Sequence, residues 1–393
     1  MRWNHISSLN ADLFSKKSLN NTFIFSIHED LNEIKIPWKK SDDHKLVNLW
    51  LSFDFQQNIT SVLPDKSKVI YGVFSYDNVV IEYFPIYLFD FSLNKSIKFK
   101  NPIKYVLAKL IKAKILLMGQ FLSTGQNFPF NEYLTEREFQ IALHSFLQKV
   151  AIKYEAKAIL WKDFFSNSPA LEENGYFSFN YQPTMIMTLR GEWQNMKDYE
   201  NALVSKYRIR LNRARKKGKG IVWSNLSVTE IIKWQSEIYN LYNGIISDAV
   251  FNIAIIPETY FSTMKSNFHD KYNLTAGFLD GKLVCFYSTI LNGSTLEANL
   301  VGFDKNLNLR MQIYLNMLFL MVEEGIKLKV ENINFYRTAM EIKSSLGAKA
   351  YPSFIYIKPT STWFVPFFHL LIPWFSPKNP SWLSRSPFKT PNL

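Results

Sequence analysis

Residues 296–302 read Leu296-Glu297-Ala298-Asn299-Leu300-Val301-Gly302, and residues 336–347 read Tyr336-Arg337-Thr338-Ala339-Met340-Glu341-Ile342-Lys343-Ser344-Ser345-Leu346-Gly347. The first run is β-rich, and its period of two puts Glu297 and Asn299 on one face. The second has helical spacing over 338–346 and stops at Gly347, a position where glycine tolerates the left-handed turn that ends many helices. Between them, 311–324 spaces its apolar residues as a helix stopped by Gly325, and 332–335 is a short strand. Upstream, 274–279 and 283–291 form strands around Asp280-Gly281, a hairpin turn that uses glycine's freedom at positive φ. Downstream, 353–357 is a last strand.

The first half of the chain runs through a similar list. Strands at 69–74 and 79–88 join at Tyr76-Asp77-Asn78, and a third strand follows at 115–121. Thr135 with Glu138 three residues on is a capping box that opens a helix through about residue 154. A strand at 158–161, a helix at 168–174 closed by Gly175, and a strand at 184–189 complete the copy. The expected organisation is a first unit over 1–189, a second over 190–358, and an aromatic, proline-rich tail over 359–393. Two helical segments, 194–217 and 228–247, introduce the second unit.

The repeated order of hairpin, strand, helix, strand, helix, strand, with the two quoted runs, resembles the tandem acyltransferases of the GNAT superfamily. Within it, the chain is most similar to the FemAB-like, peptidoglycan-biosynthesis-like branch, and the basic run Lys206 to Gly218 resembles the helix that opens the second unit there. The resemblance covers about residues 30–358. It implies an α/β fold of two GNAT-like units, each a mixed, splayed sheet flanked by helices, the second unit carrying the cleft. It also implies an N-acyltransferase joining an acyl or aminoacyl group to an amine, with a cell-envelope precursor as acceptor, and the single cysteine suits a reducing, cytoplasmic setting. Such transfer needs alignment, oxyanion donors and a route for the amine proton, with no covalent enzyme intermediate.

Glu297 is the candidate base if burial raises its pKa, with Asn299 beside it; the alternative is a solvated strand face. Tyr314 either protonates a leaving group or belongs to the core with Leu315, Leu318 and Met321. Arg337 is a candidate fork for phosphate or carboxylate, with the i,i+4 pair to Glu341 as the structural alternative. Lys343 is the candidate facing ligand in that run. The segment Asp304 to Gln312 contains no glycine, whereas CoA-dependent relatives hold the pyrophosphate on a glycine-rich turn. Lys305 and Arg310 remain as phosphate-binding charges, and in the first half Ser123 to Asn127 holds a single glycine. No permanently bound cofactor is expected, and the donor is either acyl-CoA or aminoacyl-tRNA.

The charge balance, 46 Lys+Arg against 33 Asp+Glu, gives +13. Eight of those basic residues fall between Lys206 and Lys219 without one acid, and Lys206, Arg210, Arg213 and Lys217 share a helical stripe beside Leu203, Tyr207, Leu211 and Ala214. Such a helix, spanning 203–219, packs and still presents charge to a polyanion: tRNA, a nucleotide-linked sugar or an anionic membrane. Two other classes stay open, a nucleic-acid-binding protein without catalysis and a non-catalytic GNAT-fold scaffold. The single Cys285 excludes an internal disulfide or a thiolate zinc cluster, and the six histidines show no i,i+4 pair. No Gly-x-Ser-x-Gly elbow, Walker loop or Gly-x-Gly-x-x-Gly occurs. Residues 363–375 are strongly apolar, yet at 13 residues with Pro366 and Pro373 they are too short and broken to span a bilayer. They suit peripheral contact with a membrane face, and residues 1–28 show no secretion signal.

Overall fold

The computed structural model describes residues 23–34, 48–77, 79–98, 100–124, 134–180, 182–250, 252, 255–361 and 379–389. In chain order the first strands are β1 (Phe23–His28), β2 (Lys68–Tyr76) and β3 (Val79–Ser92), with the short helix α1 (Phe53–Asn58) between the first two. Then come α2 (Leu93–Ser96), α3 (Pro102–Leu110), β4 (Lys112–Met118), α4 (Glu136–Lys153), β5 (Ala158–Phe164), α5 (Pro169–Glu173), β6 (Phe177–Asn180) and β7 (Thr184–Thr188). The second half continues with α6 (Met196–Ala202), α7 (Ser205–Lys217), β8 (Val222–Asn225), α8 (Val228–Lys233), α9 (Gln235–Ile246) and α10 (Tyr260–Phe268). After them stand β9 (Tyr272–Leu279), β10 (Lys282–Asn292), β11 (Thr295–Phe303), α11 (Lys305–Met311) and α12 (Ile313–Lys327). The chain closes on β12 (Asn332–Asn334), α13 (Met340–Ser344), β13 (Lys349–Tyr351) and β14 (Phe354–Pro359).

Local chemistry accounts for the principal elements. Thr135 caps α4 by accepting from the Glu138 amide, and Glu138 answers to the Thr135 amide at 3.1 Å, so the capping box forms as the sequence predicts. Ser227 and Glu230 repeat the device at α8. The helix expected over 194–217 is two helices, because Leu203 and Val204 take extended backbone angles between α6 and α7. The helix expected at 311–324 is likewise interrupted: Gln312, at φ 52°, separates α11 from α12.

Among the described residues the two sheets have seven strands each, in the orders β1-β2-β3-β4-β5-β14-β6 and β13-β7-β12-β11-β10-β9-β8. The sequence division at 189/190 places β7 in the first unit and β14 in the second. In the structure β7 lies between β12 and β13, whereas β14 lies between β5 and β6. The compact units therefore divide after residue 181 and again after residue 352, and residues 353–361 belong with the first. The chain also crosses between Leu49 and Trp50; the crossings after residues 181 and 352 lie at X-Pro steps, Gln182-Pro183 and Tyr351-Pro352. Gln182 takes a left-handed φ of 53° just before Pro183, and neither proline has an N–H to give a ladder.

In the first unit the core lies between the sheet and α4, where Phe25, Phe74, Phe84, Phe139 and Phe146 interlock. In the second, Met317, Phe319, Met321 and Val322 of α12 pack with Tyr199, Leu211 and Ile333. Residues 379–389 belong to this second core. Phe388 stands 5.4 Å from the Trp193 ring and 5.9 Å from Tyr199, while the Val204 amide donates to the Pro387 carbonyl at 2.9 Å. Residues 363–375 and 125–127 lie outside the described residues.

A candidate acyl-transfer site where two strands part

β11 and β12 are parallel and pair over only three positions, Thr295 with Asn332, Leu296 with Ile333 and Glu297 with Asn334. Beyond Glu297, β11 continues to Phe303 while the other chain turns away, so the strands part at that residue. Glu297 and Asn299 share a face, and both are buried. The solvated-face alternative for Glu297 therefore does not hold.

A buried carboxylate needs donors. Glu297 Oε1 accepts from Asn292 Nδ2 at 2.6 Å, and Oε2 accepts from the Tyr336 hydroxyl. Asn299 Oδ1 accepts from the Tyr260 hydroxyl at 2.9 Å and from Ser288 Oγ at 3.2 Å. Asn292 is itself fixed, its Oδ1 accepting from the Leu49 amide at 2.7 Å. Burial and the neighbouring Glu297 carboxylate raise the Tyr336 phenol well above its ordinary value, while the Asn299 side chain acts in the opposite sense. Burial likewise raises the Tyr260 phenol. Both phenols are thus held protonated, as donors.

Tyr336 reaches Glu297 because the chain after β12 is unusual. Tyr336, Thr338 and Ala339 have φ of 58°, 68° and 47°, left-handed values that non-glycine residues rarely adopt. The Tyr336 amide donates to Asn334 Oδ1 at 3.0 Å. Lys343, on α13, is buried and donates its ammonium to the Phe335 carbonyl at 2.6 Å and to the Arg337 carbonyl. Burial pushes its pKa down to about 7. Lys343 therefore ties down the loop from within instead of facing a ligand.

The same loop explains a second difference. Because Thr338 and Ala339 are left-handed, residues 337 and 341 do not share a helix, and α13 begins only at Met340. The i,i+4 geometry of Arg337 and Glu341 is lost; Glu341 instead accepts from Arg385 Nε at 3.2 Å and from its Nη2, which lowers the Glu341 pKa. Arg337 is half-buried in the loop. Tyr314 packs its ring 5.7 Å from Phe303, and burial raises its pKa, as befits a core phenol.

At the other end of β11, Asp304 caps α11 by accepting from the Asn306 amide at 2.8 Å. Seven residues of helix then stand where a glycine-rich turn would expose backbone amides. Asn308 Oδ1 takes the Tyr314 amide at 2.9 Å, so α12 satisfies one of its first-turn donors internally. Lys305 pairs with Asp248, and Arg310 is exposed on α11. Asn316 Nδ2 donates to the carbonyls of Ala214 at 2.9 Å and Gln312 at 3.0 Å, which sets the C-terminal end of α7 against the α11–α12 junction.

α7 carries the basic run as expected, with Leu211 and Ala214 buried and most of its cations outward. The charge is less uncompensated than the run alone suggests. Arg215 pairs with Glu200 of α6, and Arg210 Nη1 donates to Ser345 Oγ at 3.1 Å. Arg213 is exposed. Sequence reasoning missed Tyr336, Tyr260, Ser288 and Asn292; the signal for them was only that a buried Glu297 must have donors from elsewhere. Among the described residues no group of three His, Cys, Asp or Glu side chains is placed to hold a metal ion, and no helix is long and apolar enough to cross a membrane.

Two seven-stranded mixed sheets, with parallel strands that part beside the long helix, define a tandem GNAT fold, the fold of GNAT-type N-acyltransferases. Among solved structures the chain is similar to FemX, with a TM-score of 0.50 and 12% identity over 84% of this chain and 96% of that one. It is also similar to a tandem GNAT protein from the clavulanic acid biosynthesis pathway, with a TM-score of 0.47 and 10% identity over 78% of this chain and 88% of that one. A third similarity is to L-PGS from Bacillus licheniformis, with a TM-score of 0.41 and 12% identity over 66% of this chain and 84% of that one. No protein-family model and no curated protein sequence matches the chain.

Proposed function

We propose that the second unit transfers an aminoacyl or acyl group to an amine acceptor, at the point where β11 and β12 part. The observation that carries this reading is the buried Glu297, held by Tyr336 and Asn292 at the last paired position of the splayed strands. The acceptor nitrogen attacks the donor carbonyl, a C–N bond forms, and the bond to the leaving oxygen or sulfur breaks. Glu297 takes the proton of the attacking amine, directly or through the Tyr336 phenol, and returns it to the leaving group. Neutral donors such as Tyr260 and Tyr336 hold the polar face of the site in place, so little reorganisation accompanies the change in charge.

The donor we favour is aminoacyl-tRNA. In support, the segment 304–312 lacks glycine and is helical over 305–311, one first-turn amide of α12 is taken by Asn308, and Lys305 is paired with Asp248. A CoA pyrophosphate finds fewer bare amides here than a glycine-rich turn provides. The basic helix α7 ends at the same junction and suits a nucleic-acid backbone. The acceptor class we favour is an amine-bearing cell-envelope precursor, met on the cytoplasmic side.

Thermal-shift titration with acetyl-CoA, longer acyl-CoAs, aminoacyl-tRNA and UDP-linked sugars tests the donor. We expect stabilisation by aminoacyl-tRNA and none by CoA species. Stabilisation by CoA species alone overturns the donor assignment, and unchanged turnover in Glu297→Gln overturns the site.

A further inference from the structure

α3 is a nine-residue helix whose apolar residues point the wrong way for a globular protein. Ile103, Val106, Leu107 and Leu110 recur at i, i+3, i+4 and i+7, the spacing of one continuous stripe. They are 65%, 58%, 40% and 78% exposed. Ala108 is the one buried residue of the helix and lies about 150° around from the centre of the stripe at 3.6 residues per turn. The helix therefore rests on the body by its narrow Ala108 side and presents its apolar side outward.

So short a helix is marginal on its own. Here it is fixed at both ends. Asn101 caps it by accepting from the Lys104 amide at 3.1 Å, Pro102 occupies its first turn, and the Leu93 amide donates to the Ile111 carbonyl at 3.0 Å. The exposed stripe is thus held in place by ordinary folding devices.

Charge selects the occupant. Positions 93–114 contain seven lysines and no acid. Lys104 and Lys109 stand on the two flanks of the stripe, and Lys109 lies 4.7 Å from the Tyr105 ring centroid. A protein partner covering four apolar side chains does not call for a one-signed cationic rim. An anionic bilayer does: the stripe enters the acyl boundary while the lysines extend to phosphates on either side.

We propose that α3 is a membrane-docking helix that lies in the plane of an anionic lipid surface. The proposal concerns α3 alone and stands whether or not the second unit catalyses acyl transfer.

Sedimentation of the full chain with vesicles of phosphatidylcholine and phosphatidylglycerol, compared with phosphatidylcholine alone, tests it. We expect binding at least about ten-fold stronger to the anionic vesicles, weakening as salt rises. Val106→Glu with Leu110→Glu, and separately Lys104→Glu with Lys109→Glu, are each expected to lower binding about ten-fold, while Arg213→Glu with Lys217→Glu on α7 leaves most of it. Should the first pair unfold the protein, Leu110→Cys carrying an environment-sensitive fluorophore gives an independent reading, because Cys285 is buried and escapes labelling. A blue shift on adding anionic vesicles is expected. No vesicle binding by the unaltered chain, undiminished binding by both pairs, or an unshifted label overturns the proposal. So does a dimer that Val106→Glu with Leu110→Glu converts to monomer, which would assign the stripe to a second copy.

Discussion

The hydroxyl of Tyr336 donates to the carboxylate of Glu297 across 39 positions of sequence, from a residue held at φ 58°. The bond joins the left-handed loop after β12 to β11, the strand that β12 pairs with up to that point. Loop conformation and carboxylate position are therefore one problem, and altering either partner should disturb both.

Glu297→Gln keeps the shape of the side chain and removes its basicity. Steady-state turnover should fall by about 10²–10⁴, the usual worth of a general base, and the melting temperature should fall too, because the new amide N–H must face a donor, Asn292 Nδ2 or the Tyr336 hydroxyl. Tyr336→Phe should lower stability by about 1.5–3 kcal/mol, the range for a hydrogen bond to a charged group. Equal turnover of Glu297→Gln and the unaltered chain would remove Glu297 from the mechanism.

Lys343 links stability to pH. Its folded pKa of about 7 lies below the ordinary lysine value of 10.5, so between those values the unfolded chain binds more protons than the folded one. Stability should rise with pH through that window, by at most about 1.4 kcal/mol per unit from this group, and the gain should be lost as pH falls toward 7. Lys343→Met should flatten that slope. It also leaves the Phe335 and Arg337 carbonyls without their donor, at a cost of about 1–3 kcal/mol each. Chemical denaturation across the pH range reads both effects, and an unaltered slope in the variant would exclude Lys343 as its source.

Gly347 carries φ 116°, and a Cβ there would meet Phe388 Cε2 at 2.3 Å. Gly347→Ala should therefore destabilise by about 1–3 kcal/mol from backbone strain, with the clash in addition. Phe388→Ala removes the clash and leaves the strain. The double variant should be less destabilised than the sum of the singles, and a strictly additive cycle would mean the ring moves aside freely.

Arg213 is exposed on α7, whereas Arg215 is paired with Glu200. Arg213→Glu should weaken RNA binding and lower the slope of log affinity against log salt by about 1–2, without changing the melting temperature. An unchanged slope would place the polyanion elsewhere.

Much of the order of elements was legible because its signals are local. The Asp280-Gly281 turn, the Thr135 capping box and the alternation of Glu297 with Asn299 each lie within a few residues. What escaped was non-local. A five-residue apolar strand such as β7 carries no mark of the sheet it joins. The Glu341 carboxylate was read against its helical neighbour, because three left-handed residues in a run without glycine have no sequence signature. Tyr260 and Ser288 come to Asn299 from elsewhere in the fold, so only burial could have revealed the need for them.

The placement of β14 has a further consequence for how the protein is made. Ala158 pairs with Pro359, about two hundred residues later, so the first sheet cannot close while that half of the chain is the only part synthesised. Until then β5 and β6 lack the strand that joins them, and on a ribosome the nascent first half carries two unpaired edges of the kind that invite aggregation. Contacts so distant in sequence make folding slow. A gene cut between the apparent halves would yield two incomplete sheets, each missing a strand that the other fragment carries.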